Sequence, residues 1–97
     1  MTAKLLSFTQ QRGGWGNVEM AQFARIQRLL ENVGLHIDVE HGITDEGDPW
    51  CVFCSNTTGE VIIHAARMDG LYMFDSPVLR TPIEGRSFQH CAEKFLD

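Results

Sequence analysis

The sequence predicts a two-layer α+β domain: a helix, a four-stranded antiparallel meander and a second helix, with both helices on one sheet face. Three observations predict it. The apolar period changes from about 3.6 residues to 2 at Leu35. The connections between the period-2 runs are too short for parallel crossovers. Each helical run carries a single apolar stripe that has to be buried against another layer. The 97 residues suit one core, divided into a flexible N-terminal arm over residues 1–16 and a single α+β domain over 17–97.

The arm has no sustained period and ends in Gly13-Gly14-Trp15-Gly16. Leu5, Leu6 and Phe8 could dock on the body or add an edge strand, and Trp15 is expected to pack as a plug. Asn17 suits a helix N-cap, and Glu19 sits in the first turn, where the helix dipole favours a carboxylate. Met20, Phe23, Ile26, Leu30 and Val33 then recur at spacings of three and four, with Leu29 widening the stripe. Gly34 fits the left-handed position after the helix, and Leu35 the hydrophobic partner of a Schellman ending.

Beyond the helix, Leu35, Ile37 and Val39 alternate with His36, Asp38 and Glu40, as in a half-buried strand. An acidic loop spans 42–49. A second strand runs from Trp50 to Ser55, and Asn56-Thr57-Thr58-Gly59 connects it to a third, Glu60 to Arg67. Asp69-Gly70 turns the chain into a fourth strand, Leu71 to Phe74. Ser76-Pro77 and Thr81-Pro82 disfavour regular structure. Ser87 can cap a last helix with Phe88, Cys91, Ala92, Phe95 and Leu96 on one stripe.

Charge is unevenly spread. The net charge is −5, but residues 35–60 carry six carboxylates and neither Lys nor Arg. Nucleic-acid affinity depends on cations that neutralise phosphates, so direct binding to DNA or RNA is disfavoured. An acidic face instead favours a partner protein with a basic surface. No window approaches the roughly 18 apolar residues of a membrane span. Three cysteines cannot all pair within one chain, and the N-terminus lacks a secretory pattern, so a reducing, cytoplasmic setting is expected.

The chemistry-bearing residues are few. Cys51-Val52-Phe53-Cys54 has the C-x-x-C spacing of thiol redox centres and zinc knuckles. On a strand, however, residues three apart face opposite sides, so Cys54 would sit with Trp50 and Val52 and Cys51 with Phe53. Core thiols are the better reading, with a metal- or ligand-responsive site at Cys51, Cys54, His64 and Arg67 as the alternative. Asp45-Glu46-Gly47-Asp48 lacks the regular ligand spacing and closing Glu of a calcium loop. No motif specifies an activated nucleophile, a phosphate loop or a metalloprotease helix, and no cofactor is implied.

Trp15-Gly16-Asn17, Asp45-Glu46-Gly47-Asp48-Pro49-Trp50, Phe53-Cys54, Thr58-Gly59-Glu60-Val61-Ile62-Ile63-His64, Arg67 and Asp69-Gly70 resemble an uncharacterised bacterial family. Its members are small domains often found at the front of longer proteins. The resemblance covers about residues 15–75 and implies no activity, cofactor or catalytic residue. Where such relatives continue into further segments, this chain stops soon after its last helix, so a free-standing version of the domain is expected.

The expected function is therefore a non-enzymatic acidic module that regulates or inhibits a partner with a basic surface. Its contact would use Asp38, Glu40, Asp45, Glu46 and Asp48, together with a helix-free sheet face. If the helices cover Val61, Ile63 and Ala65, that face holds Ile62, His64 and Ala66, with Phe53, Tyr72 and Phe74 added from neighbouring strands. A homodimer is the alternative use of such a face.

Overall fold

The first helix begins where the glycine hinge gives way to helix-forming residues, and a carboxylate fixes its start. The structure, a computed structural model, describes residues 14–96; the expected arm before residue 14, with Leu5, Leu6 and Phe8, lies outside them. Helix α1 spans Asn17–Asn32. Gly16, rather than Asn17, is its N-cap, in extended conformation (φ −83°, ψ 176°). The Glu19 carboxylate accepts the Gly16 N–H, the reciprocal half of a capping box. At the other end Gly34 has φ +96°. Its N–H reaches Glu31 O at 3.0 Å, and Leu35 N–H reaches Leu30 O at 3.2 Å, completing a Schellman motif.

Phe23 and Ile26 form the buried line of α1. Leu29 and Val33, assigned to the stripe by spacing, are exposed. Leu29 lies about a quarter-turn off the Phe23–Leu30 line, and Val33 is already the C-cap.

Five strands follow: β1 (Ile37–Ile43), β2 (Pro49–Ser55), β3 (Val61–Met68), β4 (Leu71–Asp75) and β5 (Ile83–Gly85). They form one antiparallel sheet in chain order. The four-stranded expectation is thus one strand short. Pro82 sits just before β5, where its missing N–H takes nothing from the ladder. The three residues of β5 are too few to show a period, and pairing with β4 (Tyr72 with Gly85, Phe74 with Ile83) makes the strand. The β3–β4 turn is the expected Asp69-Gly70, with φ of +54° and +76°, the left-handed pair a two-residue hairpin needs. Helix α2 (Phe88–Leu96) closes the chain. Ser87 caps it, its Oγ accepting the His90 N–H at 3.2 Å.

The register sorts side chains between two faces. Ile37, Val39, Pro49, Cys51, Phe53, Ile63, Ala65, Tyr72 and Phe74 share the first. Most of them are buried with Phe23, Ile26, Phe88, Cys91 and Ala92 of the helices. Phe23 meets Phe53 (6.0 Å between ring centroids), Phe88 (5.6 Å) and Trp15 (5.0 Å). Phe74 meets Phe88 (5.7 Å) and stacks on Phe95 (5.5 Å). Each edge-to-face pair adds about 0.5–1.5 kcal/mol beyond its buried area. The Trp15 indole N–H also donates to Trp50 O at 3.1 Å, which docks the end of the glycine hinge against β2.

Phe23→Ala would remove the shared ring of this cluster and is expected to lower unfolding free energy by about 3–5 kcal/mol in a denaturant titration. Leu29→Ala, on the exposed side of the same helix, is expected to change it by less than about 0.5 kcal/mol.

Candidate functional site

Strand alternation leaves a second set of side chains on the opposite sheet face. Asp38, Glu40 and Gly42 of β1 pair with Cys54, Val52 and Trp50 of β2. Trp50 and Val52 pair in turn with Ala66 and His64 of β3, and these with Met73 and Asp75 of β4. Glu84 of β5 lies opposite Met73. One continuous row therefore reads Glu40, Val52, His64, Asp75; the next reads Gly42, Trp50, Ala66, Met73, Glu84.

The apolar members of these rows are only half-buried, whereas Cys51, Phe53, Ile63 and Ala65, their chain neighbours, are fully buried. Carboxylates border the rows on both sides: Asp38, Glu40, Asp75 and Glu84. The strands place no Lys or Arg on this face.

This arrangement corrects the sequence reading. Phe53 is fully buried, and the register puts it with Ile63 and Phe74 on the first face. Tyr72 is also there; its ring meets Phe88 at 5.5 Å and its hydroxyl donates to Glu19 Oε2 at 3.1 Å. Neither ring is available at the second face. Their places are taken by Trp50 and Val52, which alternation within β2 already sets with Cys54, and by Met73, which only the pairing through Ala66 brings there. Val61, expected beside Ile63, is 45% exposed. A register shift between Phe53 and Cys54 sets Val61 opposite Cys54, and Ile62 becomes the extra residue of a bulge.

Trp50 is placed by the backbone it covers. A Cβ on Gly42 would stand 2.7 Å from the Trp50 ring, so the indole lies directly over the β1 main chain. His64, Asp75, Val61, Leu79 and Arg80 line a shallow groove of about 480 Å³ beside the apolar rows. The acidic segment is a tight turn: Thr44 N–H bonds Asp48 O at 2.9 Å, Gly47 N–H bonds Thr44 O at 2.9 Å, and Gly47 has φ +90°. Asp45 and Glu46 are exposed at its tip, and Asp48 is half-buried.

The cysteines do not assemble. Cys51 faces the core and Cys54 the second face with His64, so the alternative set Cys51, Cys54 and His64 is split between the two sides of the sheet. Arg67 is on Cys51's side, its guanidinium 6.0 Å from the Trp15 ring. All three cysteines are free. Among the described residues, no group of three or more His, Cys, Asp and Glu side chains could hold a metal ion. Burial pushes the Cys51 thiol up to about 12 and also raises Cys91, which Lys94 partly offsets. Both are therefore poor nucleophiles near neutral pH. Among the described residues, no helix is long and apolar enough to cross a membrane.

Comparison of the chain with protein-family models, with curated proteins and with solved structures finds no match.

The raised Cys51 thiol has a consequence for pH. The folded state keeps its proton above the unfolded value of 9.0, so unfolding releases a proton there. Stability is fully present below about pH 9 and is expected to fall between 9 and 12, by about 1 kcal/mol per pH unit. Alkaline denaturant titrations check this, with Cys51→Ala flattening the slope. At pH 8 a thiol reagent is expected to label Cys54 readily, and Cys51 and Cys91 only on unfolding.

Proposed function

We propose that this protein is a non-enzymatic binding module whose second sheet face docks on a partner protein with a basic surface, regulating or inhibiting it. In this reading both helices shelter the first face and leave the second open. One observation carries the proposal: an apolar strip of Trp50, Val52, Ala66 and Met73 is bordered by Asp38, Glu40, Asp75 and Glu84, with no strand cation among them. A half-exposed apolar centre with a polar rim is the composition of a protein contact. The strand-borne charges of that rim are all negative, with Arg80 in the groove beside Asp75, and such an acidic bias steers a partner of opposite charge. Asp45, Glu46 and Asp48 extend the same sign past the end of β1.

His64 sits in the middle of the surface, between Val52 and Asp75, where it can donate to or accept from a partner group. Three cysteines, none of them in a disulfide, suit a cytoplasmic setting.

The test is affinity capture with the full chain as bait at low and at high salt. A genuine partner is expected to be retained at low salt, weakened at high salt as the Debye length shortens, and lost with Val52→Glu/Met73→Glu. Charge reversal at Asp45, Glu46 and Asp48 is expected to slow its association. Recovery indifferent to both sets of substitutions would sink the proposal.

A further inference from the structure

Strand β1 is the long edge of the sheet, and the hydrogen bonds around it show which of its backbone groups face away. Asn56 N–H donates to His36 O, and Thr44 N–H to Asp48 O. Both fit the same β1–β2 register, in which even-numbered residues exchange hydrogen bonds with β2. The N–H and C=O of Ile37, Val39, His41 and Ile43 therefore point outward. Gln27 of α1 takes one of them, its Nε2 donating to Ile37 O at 3.2 Å. The outward groups of Val39 and His41 meet no protein partner among the described residues. They form a two-residue repeat, the template for strand addition.

The side chains beside this edge define what can add to it. Asp38 and Glu40 are exposed on the second face, and Asp38 also accepts from Asn56 Nδ2 at 2.9 Å. In a new antiparallel pair they would occupy the non-hydrogen-bonded positions, where opposed side chains come closest. Opposite charges there stabilise the pair and like charges oppose it. In the registers centred on Val39 and Glu40 a second copy of β1 is a poor occupant: the first sets Asp38 against Glu40, and the second sets Glu40 against itself.

We infer that the β1 edge takes an extended segment of a partner protein as a sixth strand. That segment carries Lys or Arg at two alternate positions opposite Asp38 and Glu40, with an apolar or β-branched residue between them. The inference rests on the reading of the acidic surface as a protein contact and adds the form in which the partner is held: main-chain bonds at Val39 and His41 give affinity, and the two carboxylates select charge.

The probe is a synthetic peptide as long as β1, alternating lysine with valine, and a control with glutamate for lysine. With the full chain, the lysine peptide is expected to slow amide exchange at Val39 and His41, and the glutamate peptide is not. His41→Pro removes an outward N–H without touching the β1–β2 ladder, a position edge strands tolerate, and is expected to abolish binding. Asp38→Lys/Glu40→Lys, at exposed positions, is expected to weaken it about tenfold. Three results would overturn the inference: slow exchange at Val39 and His41 before any peptide is added, equal binding of both peptides, or lysine-peptide binding that leaves edge exchange unchanged. In the last case, loss of that binding with Val52→Glu/Met73→Glu would leave the face proposal standing while the edge proposal fails.

Discussion

The ring of Phe23 is the contact on which the rest of the molecule depends. It touches the hinge through Trp15, the sheet through Phe53 and Phe74, and the second helix through Phe88. A domain of this size has a small stability margin, of order 5–15 kcal/mol, and few places to distribute it. Concentrating helix–sheet contact in interlocked aromatics gives directional packing as well as area. It also commits Phe53 of β2 and Phe74 of β4 to one side of the sheet, while the register leaves Trp50 and Met73 of the same strands on the other.

That division was only partly legible in the sequence. Alternation within one strand was: Cys54 shares a side with Trp50 and Val52, and Cys51 lies with Phe53. Local signals for the α1 ending, the Asp69-Gly70 turn and the Ser87 cap also held, because each is decided by one or two residues whose chemistry acts at short range. What alternation could not supply was the phase of one strand against the next. Placing Ile63 inward and Phe53 outward is consistent within each strand, yet the register pairs them. The bulge at Ile62 and the three-residue β5 are likewise products of pairing rather than of local preference. The acidic rim was legible as composition, whereas its alignment with Trp50 and Met73 depended on that register.

The same geometry separates the chemically reactive side chains. A C-x-x-C spacing on a strand divides its thiols between opposite sides, so this pair cannot close on a shared metal without distorting the ladder. Burial raises Cys51 and Cys91, and the remaining thiol, Cys54, stands beside Asp38 in the register rather than beside a cation. The polar groups of the second face lie with carboxylates at the border and His64 between Val52 and Asp75.

The chain's two tryptophans occupy one small neighbourhood. Trp15 donates to the main-chain oxygen of Trp50, and the Trp50 ring lies over Gly42 on the other side of the sheet. One indole therefore belongs to the interior and the other to the outer surface, joined through a single carbonyl. The tryptophan emission of the molecule therefore has two sources with different surroundings: Trp15 reports whether the glycine segment is seated on β2, and Trp50 whether the β1 border strand is in place.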